Sequence, residues 1–211
     1  MANAVEICNL ALSFLGDSAT VASINPPEKA TQARMCAIYY PLARSAMLEM
    51  HDWSFATRRG FLPQLPDEDG SGWKGVYQLP SDALRVIRVK PYGTENPIVR
   101  DGVKYPFFET NPTDARFEVL GRKLYTNADN PIAYYISSEV PEGQFTPTFV
   151  NAFAYYLATQ IAGARVKGKE GQTLAQTIQK QFMVALSIAK SRDANQQMKR
   201  TDFVPKWLAV R

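Results

Sequence analysis

Apolar residues recur at helical spacing near both ends of the chain, whereas the middle carries short apolar runs broken by turn formers. Val5, Cys8, Leu12 and Leu15 fall three to four apart, Ile7, Leu10, Ala11 and Phe14 widen their face, and Gly16 follows as a stop. A first helix is expected there. Asn25-Pro26-Pro27-Glu28 offers a capping residue, prolines suited to a first turn and an acid three residues after the cap, so a second helix is expected to begin at this point. Its buried face reads Ala33, Cys36, Ala37, Tyr40, Ala43, Met47 and Met50. Pro41 lies inside that run; its missing N–H predicts a kink near Cys36–Ala37, with the apolar phase continuing beyond it.

From Trp53 to Val140 the period shortens. Leu84, Val86, Ile87 and Val89, the pair Phe117–Val119 and Leu124–Tyr125 around Gly121-Arg122, and Ile132 to Ile136 read as strands. The turn signals between them are Pro66-Asp67, Asp69-Gly70, Pro91 to Gly93, Asp101-Gly102, Asn111-Pro112 and Asn130-Pro131, giving a small antiparallel sheet of about four to six strands. Thr146-Pro147 then opens a third helix with Val150, Phe153, Ala154, Leu157, Ile161 and Ala164 on one stripe; Gly168 to Gly171 breaks it. Leu174, Ile178, Phe182, Ala185 and Ala189 mark a fourth helix to about Gln197. The expected fold is α+β: an antiparallel bundle of about four helices interrupted by a small antiparallel β insertion, with an extended C-terminal tail. Its divisions are residues 1–60 and 147–197 for the two halves of the bundle, 61–146 for the β-rich insertion, and 198–211 for the tail.

The chain has 211 residues, 45% hydrophobic and 21% charged, which suits a globular protein with a real core and excludes disorder throughout. Cys8 and Cys36 are its only cysteines, too few for a disulfide framework and without Cys-x-x-Cys spacing, so a reducing assembly compartment is expected. No apolar run approaches the roughly 20 residues needed to cross a bilayer, and Met1 to Leu15 lacks the basic start of a leader, so a soluble, unprocessed protein is expected. The net charge of +4 is unevenly spread, because residues 148–211 hold ten basic side chains against three acidic ones. Lys167, Lys169, Lys180, Lys190 and Arg192 are the candidate contacts to a DNA channel or an acidic partner, although their loose spacing also suits a solvated helix face.

Enzyme chemistry finds little support. His51 is the only histidine, and it stands near the end of the second helix, where the dipole favours a protonated imidazole. Gly163 to Glu170 nearly matches a phosphate-binding loop, but Glu170 replaces the magnesium-binding hydroxyl and a helix precedes it. Asp67-Glu68-Asp69 and Glu139 to Glu142 are loop acids, and no metal or cofactor site is expected from them. Trp53 and Phe55 beside Arg58-Arg59 could stack on bases, yet their place between a helix and a sheet favours packing. The segment Met198–Arg211 has no core of its own, and its Phe203, Pro205, Trp207 and Leu208 form a candidate arm for docking on a partner.

Several stretches together resemble the tail tubular protein A family of short-tailed bacteriophages. They are Ala33-Arg34, Tyr39-Tyr40-Pro41-Leu42-Ala43-Arg44, Trp53-Ser54-Phe55-Ala56-Thr57-Arg58-Arg59, Tyr77 through Arg85, Phe149 through Ala158, and Trp207-Leu208-Ala209. The resemblance runs in order over nearly the whole chain and carries no catalytic residues. It implies a structural head-to-tail adaptor of the virion, assembled in the host cytoplasm as a ring of twelve copies between the portal protein and the tail nozzle protein, with genomic DNA passing through the bore. Two other classes stay open: a basic nucleic-acid-binding module resting on the C-terminal third, and a hydrolase built on His51 or a carboxylate pair.

Overall fold

A computed structural model describes residues 2–18, 20–66, 72–91, 99–100, 103–104, 114–165 and 168–196. The first helix, α1 (Ala4–Phe14), starts with a reciprocal cap. Asn3 Oδ1 accepts from the Glu6 amide at 2.8 Å, and Glu6 Oε2 accepts from the Asn3 amide at 3.2 Å. It ends where Gly16 takes φ +73°, a left-handed conformation that costs glycine little, while the Asp17 amide donates back to the Leu12 carbonyl at 3.1 Å. Ile7, Cys8, Ala11 and Leu12 are buried.

The capped helix start expected at Asn25 is absent. Helix α2 (Thr31–Glu49) begins at Ala30, which supplies no side-chain cap, and Glu28 is turned the other way, accepting from the Ala22 amide at 3.1 Å. Two successive prolines hold the preceding residues out of the helical region, the Asn25–Pro26 peptide is cis, and Ile24 bridges to Pro27 instead of entering a helix. Asn9 anchors this loop to α1, donating to the Val21 carbonyl at 2.9 Å and accepting from the Val21 amide at 2.7 Å. Beyond it α2 runs through Pro41, burying Ala33, Cys36, Tyr40, Ala43, Met47 and Leu48.

The β region contains β1 (Thr57–Phe61), β2 (Gln64–Leu65), β3 (Gly75–Gln78), β4 (Ala83–Lys90), β5 (Val99–Arg100), β6 (Val103–Lys104), β7 (Phe117–Leu120), β8 (Lys123–Thr126) and β9 (Ile132–Ser137). All its pairings are antiparallel: a three-stranded sheet β1-β9-β4, a four-stranded sheet β2-β3-β8-β7 and a two-stranded ribbon β5-β6. This overturns the small insertion expected in a helical bundle. Two sheets with a core of their own make the protein a mixed α+β fold, with more strand than a helical bundle carrying a small insertion would have. The runs at Leu84–Val89, Phe117–Val119, Leu124–Tyr125 and Ile132–Ile136 are strands as expected, and Gly121, at φ +61°, turns the hairpin β7–β8. Strands β1, β2 and β3 carry no clear alternation and were not foreseen.

Helix α3 (Pro147–Arg165) starts after Thr146, whose hydroxyl accepts from the Phe149 amide at 3.3 Å. Helix α4 (Gly168–Ala194) already includes Gly168 to Gly171 in its first turn, so the break expected at those glycines is not there. Helix α3 is the shared element of the helical layer, packing against α1, α2 and α4. Trp53, Phe145, Phe149 and Phe153, with Phe55 at their edge, interlock as edge-to-face and tilted ring pairs and one stacked pair, Trp53–Phe55, with centroids 4.8–6.4 Å apart. Strand β9 joins the two cores: Ile136 is buried under the helices, whereas Ala133 and Tyr135 pack with Val89, Leu62, Tyr77, Leu79 and Leu124 between the sheets.

Candidate functional site

Some of the residues that carry the resemblance, Tyr40, Arg44, Trp53 and Thr57, meet where α2, β9 and α3 come together, and their contacts there hold elements to one another. Trp53 is fully buried and donates through Nε1 to the Met47 carbonyl at 2.8 Å, which ties the strand entry to the end of α2. Thr57 Oγ1 donates to the Trp53 carbonyl at 2.8 Å. From α2, Arg44 reaches the chain just after β9, donating to the carbonyls of Ser138 at 2.6 Å and Val140 at 2.5 Å, while its Nε lies 3.6 Å from Glu142 Oε1. One turn earlier, Tyr40 donates to Glu142 at 3.2 Å; burial, with that carboxylate beside it, pushes the phenol well above its usual range, so it stays a neutral donor. Glu142, read from the sequence among loop acids, is therefore half of a clasp. Trp53 and Phe55 pack at this junction, Trp53 fully buried and Phe55 partly.

His51 and Ser54 both approach Asp193, near the end of α4, which is only 3% exposed. Ser54 donates to it through Oγ at 2.6 Å and through its amide at 3.1 Å, and His51 Nε2 lies 3.5 Å away on the other oxygen. In a nucleophilic triad the imidazole stands between hydroxyl and carboxylate so that it can take the hydroxyl proton. Here the carboxylate occupies the middle, and no hydrogen bond joins Ser54 to His51 among the described residues. The expectation of a dipole-favoured imidazolium also fails: burial lowers the His51 pKa, against the opposing pull of Asp193. The cluster fastens the end of α4 to the start of β1.

Two exposed apolar stripes were missed by reading only inward-facing positions. On α2, Ile38 and Leu42, one turn apart, are 63% and 68% exposed. On α4, Met183, Val184 and Ile188 are exposed opposite the buried Phe182, Ala185 and Ala189. Exposed Lys180 and Arg192 continue the α4 stripe one turn before Val184 and one turn after Ile188, giving an apolar strip with cationic ends. Their sequence signal was available, since Lys180, Val184, Ile188 and Arg192 follow the four-residue helical step. Lys190 is part-buried on another side of the helix, near His51, so the candidate cations do not form one face. Lys167, the Lys169 side chain, the Asp67-Glu68-Asp69 cluster and the arm of Phe203, Pro205, Trp207 and Leu208 lie outside the described residues.

Among the described residues no group of three or more His, Cys, Asp or Glu side chains could hold a metal ion, and no helix is long and apolar enough to cross a membrane. Cys8 and Cys36 are free buried thiols on α1 and α2; their mutual hydrogen bond and burial push the Cys8 thiol far up, which keeps it protonated and unreactive. No protein-family model matches the chain, and no curated protein matches it.

Proposed function

We propose that this chain is a structural head-to-tail adaptor of a phage virion, one copy of a ring between portal and tail nozzle through which DNA passes. The single observation that carries the reading is the pair of apolar stripes on α2 and α4, two different surfaces of one chain. A surface that meets an unlike surface on the next copy makes a heterologous contact, and repeated heterologous contacts that close make a ring. Further support comes from the ordered family motifs and from the middle position of Asp193, which leaves Ser54 without an activating base. The cations of α4 point several ways, which suits a weak, salt-screened attraction to passing DNA better than a base-reading surface.

The test is the mass of the assembly with and without a portal ring. By light scattering, the isolated chain is expected to be a monomer or weakly associated, and to form its ring on adding portal. A stable large ring without portal, or no attachment to portal, contradicts the proposal. Deleting residues 199–211 should leave the melting temperature nearly unchanged while abolishing attachment, since an arm carrying Phe203 and Trp207 gains its burial, about 1.5–3 kcal/mol per aromatic, only on a partner.

A further inference from the structure

Cys8 and Cys36 stand 28 positions apart in the chain and are brought together where α1 packs on α2. Both belong to the core under the helices, and neither reaches solvent. Small neighbours let the two helices approach at this point: Ala11, one turn after Cys8, and Ala33, one turn before Cys36, are buried alanines. The Cys8 thiol donates a hydrogen bond to the Cys36 sulfur, so the two sulfurs touch across the helix contact. That bond divides their roles. It holds the Cys36 thiol below its usual range, against the opposite effect of burial, whereas the same bond and burial together push Cys8 far up. Cys36 is the sulfur able to act as a thiolate, and Cys8 stands beside it as a proton donor.

We propose that Cys8 and Cys36 are an oxidation site, a buried dithiol that hydrogen peroxide closes into a disulfide joining α1 to α2. Full burial keeps out bulky oxidants such as a glutathione disulfide, while a molecule little larger than water enters when the helix contact opens locally. The Cys36 sulfur attacks one peroxide oxygen and the O–O bond breaks; the other oxygen leaves with the Cys36 proton as water, and Cys36 becomes a sulfenic acid. Cys8, inert on its own, then attacks the Cys36 sulfur. The S–O bond breaks, and the departing hydroxide takes the Cys8 proton as a second water. Two thiols lose two electrons, and one peroxide gains them. In a reducing compartment the pair stays open. Once closed, the bond pins α2 two residues before the exposed Ile38 and encloses the loop that Asn9 anchors at Val21. The inference stands apart from the adaptor reading, since ring formation on a portal can fail while this bond forms, and the reverse.

In the experiment the full chain, freed of reductant, is exposed to hydrogen peroxide, quenched, unfolded in the presence of a maleimide and weighed intact. The wild type is expected to lose two hydrogens, to take up no maleimide, and to yield on proteolysis one pair of peptides linked through Cys8 and Cys36 of the same copy. The oxidised chain should melt about 5–10 °C higher than the reduced one, because a cross-link of this span restricts the unfolded chain. Dithiothreitol should reverse the shift. Removing each sulfur tests the division of roles: with Cys8→Ala, Cys36 should halt as a sulfenic acid that dimedone traps, and with Cys36→Ala, Cys8 should take up no dimedone. Should either variant fail to fold in a circular-dichroism melt, the wild-type mass and melting shift decide alone. The inference is overturned if the treated wild type still takes up two maleimides, or if the disulfide joins two copies. It is equally overturned if the oxidised chain melts no higher than the reduced one, or if dimedone collects on Cys8 instead of Cys36.

Discussion

The core under the helices and the core between the sheets are built from different materials. Beneath α1–α4, large side chains such as Phe149, Phe153, Leu12, Met47 and Leu157 are fully buried and belong to helices whose backbone hydrogen bonds are closed locally, with Trp53 buried beside them from the connection to β1. Between the sheets the buried set is smaller and includes two tyrosines, Tyr77 and Tyr135, one of which spends its hydroxyl on the Ala128 carbonyl at 3.2 Å. That core exists only if distant strands pair, because β9 lies between β1 and β4, strands that precede it by some 50 to 75 residues. Local closure against long-range closure makes the helical core the more robust of the two, and the elements at their seam, Trp53, Arg44 and β9, the points at which damage to one reaches the other.

Trp53→Ala offers the largest break. It removes a fully buried indole and its bond to Met47 at the seam, at a cost of about 3–5 kcal/mol, and a single unfolding transition involving both regions should move to lower denaturant. Leu124→Ala lies within the inter-sheet core and should cost about 2–4 kcal/mol, but hydrogen exchange should quicken in β3, β8 and β9 while α3 stays protected. Equal exchange in both regions would show the cores to be one cooperative unit. Arg44→Met keeps much of the apolar stem and deletes the two bonds to Ser138 and Val140. The expected loss is about 2–3 kcal/mol, read from chemical denaturation, with the faster exchange confined to the residues after β9.

How much of this was legible in the sequence follows the same division. Helices α1, α3 and α4 announce themselves because their period and stops are local: Thr146-Pro147 marks the α3 start that the structure has, and the apolar phase from Val5 with the stop at Gly16 marks α1. The start of α2 misled because Asn25-Pro26-Pro27-Glu28 has the right residues for a cap, while Glu28 bonds to Ala22 instead. Strands β1 to β3 escaped because Thr57–Phe61 reads as charged and glycine-bearing, and its strand character comes from pairing with β9, more than 70 residues away. Asp193 as the partner of Ser54 and His51 was equally hidden, since 139 residues separate it from Ser54 and only the packing of α4 brings them together. The exposed stripes were readable as helical steps, but a reading aimed at the core passes over apolar residues that point outward.

The smallest effect sharpens the seam further. Because burial lowers the His51 pKa, the folded state binds that proton less readily than the unfolded chain, whose imidazole titrates near 6.5. The stability this contributes is fully present above about pH 6.5 and is lost as the pH falls toward the depressed folded value. Thermal melts between about pH 7 and 5 should show a small fall attributable to this group, absent in His51→Gln. A wild-type melting temperature that rises over this interval relative to the variant would mean that Asp193 outweighs burial.

The central claim is that α2 of one copy meets α4 of the next, and complementary breakage tests it most directly. One variant carries Ile38→Glu and Leu42→Glu, the other Val184→Glu and Ile188→Glu; all four side chains are exposed, so each monomer should melt within about 0.5 kcal/mol of the wild type. Sedimentation velocity is run on each variant alone and on their equimolar mixture, with ring formation on portal followed in parallel. The account predicts that neither variant forms a ring on portal, and that at concentrations where the wild type associates weakly the mixture associates only as far as one-to-one dimers, joined through the single intact pair of faces. Rings formed on portal by either variant alone, or a mixture that stays as monomeric as its components at concentrations where the wild type associates, would contradict it.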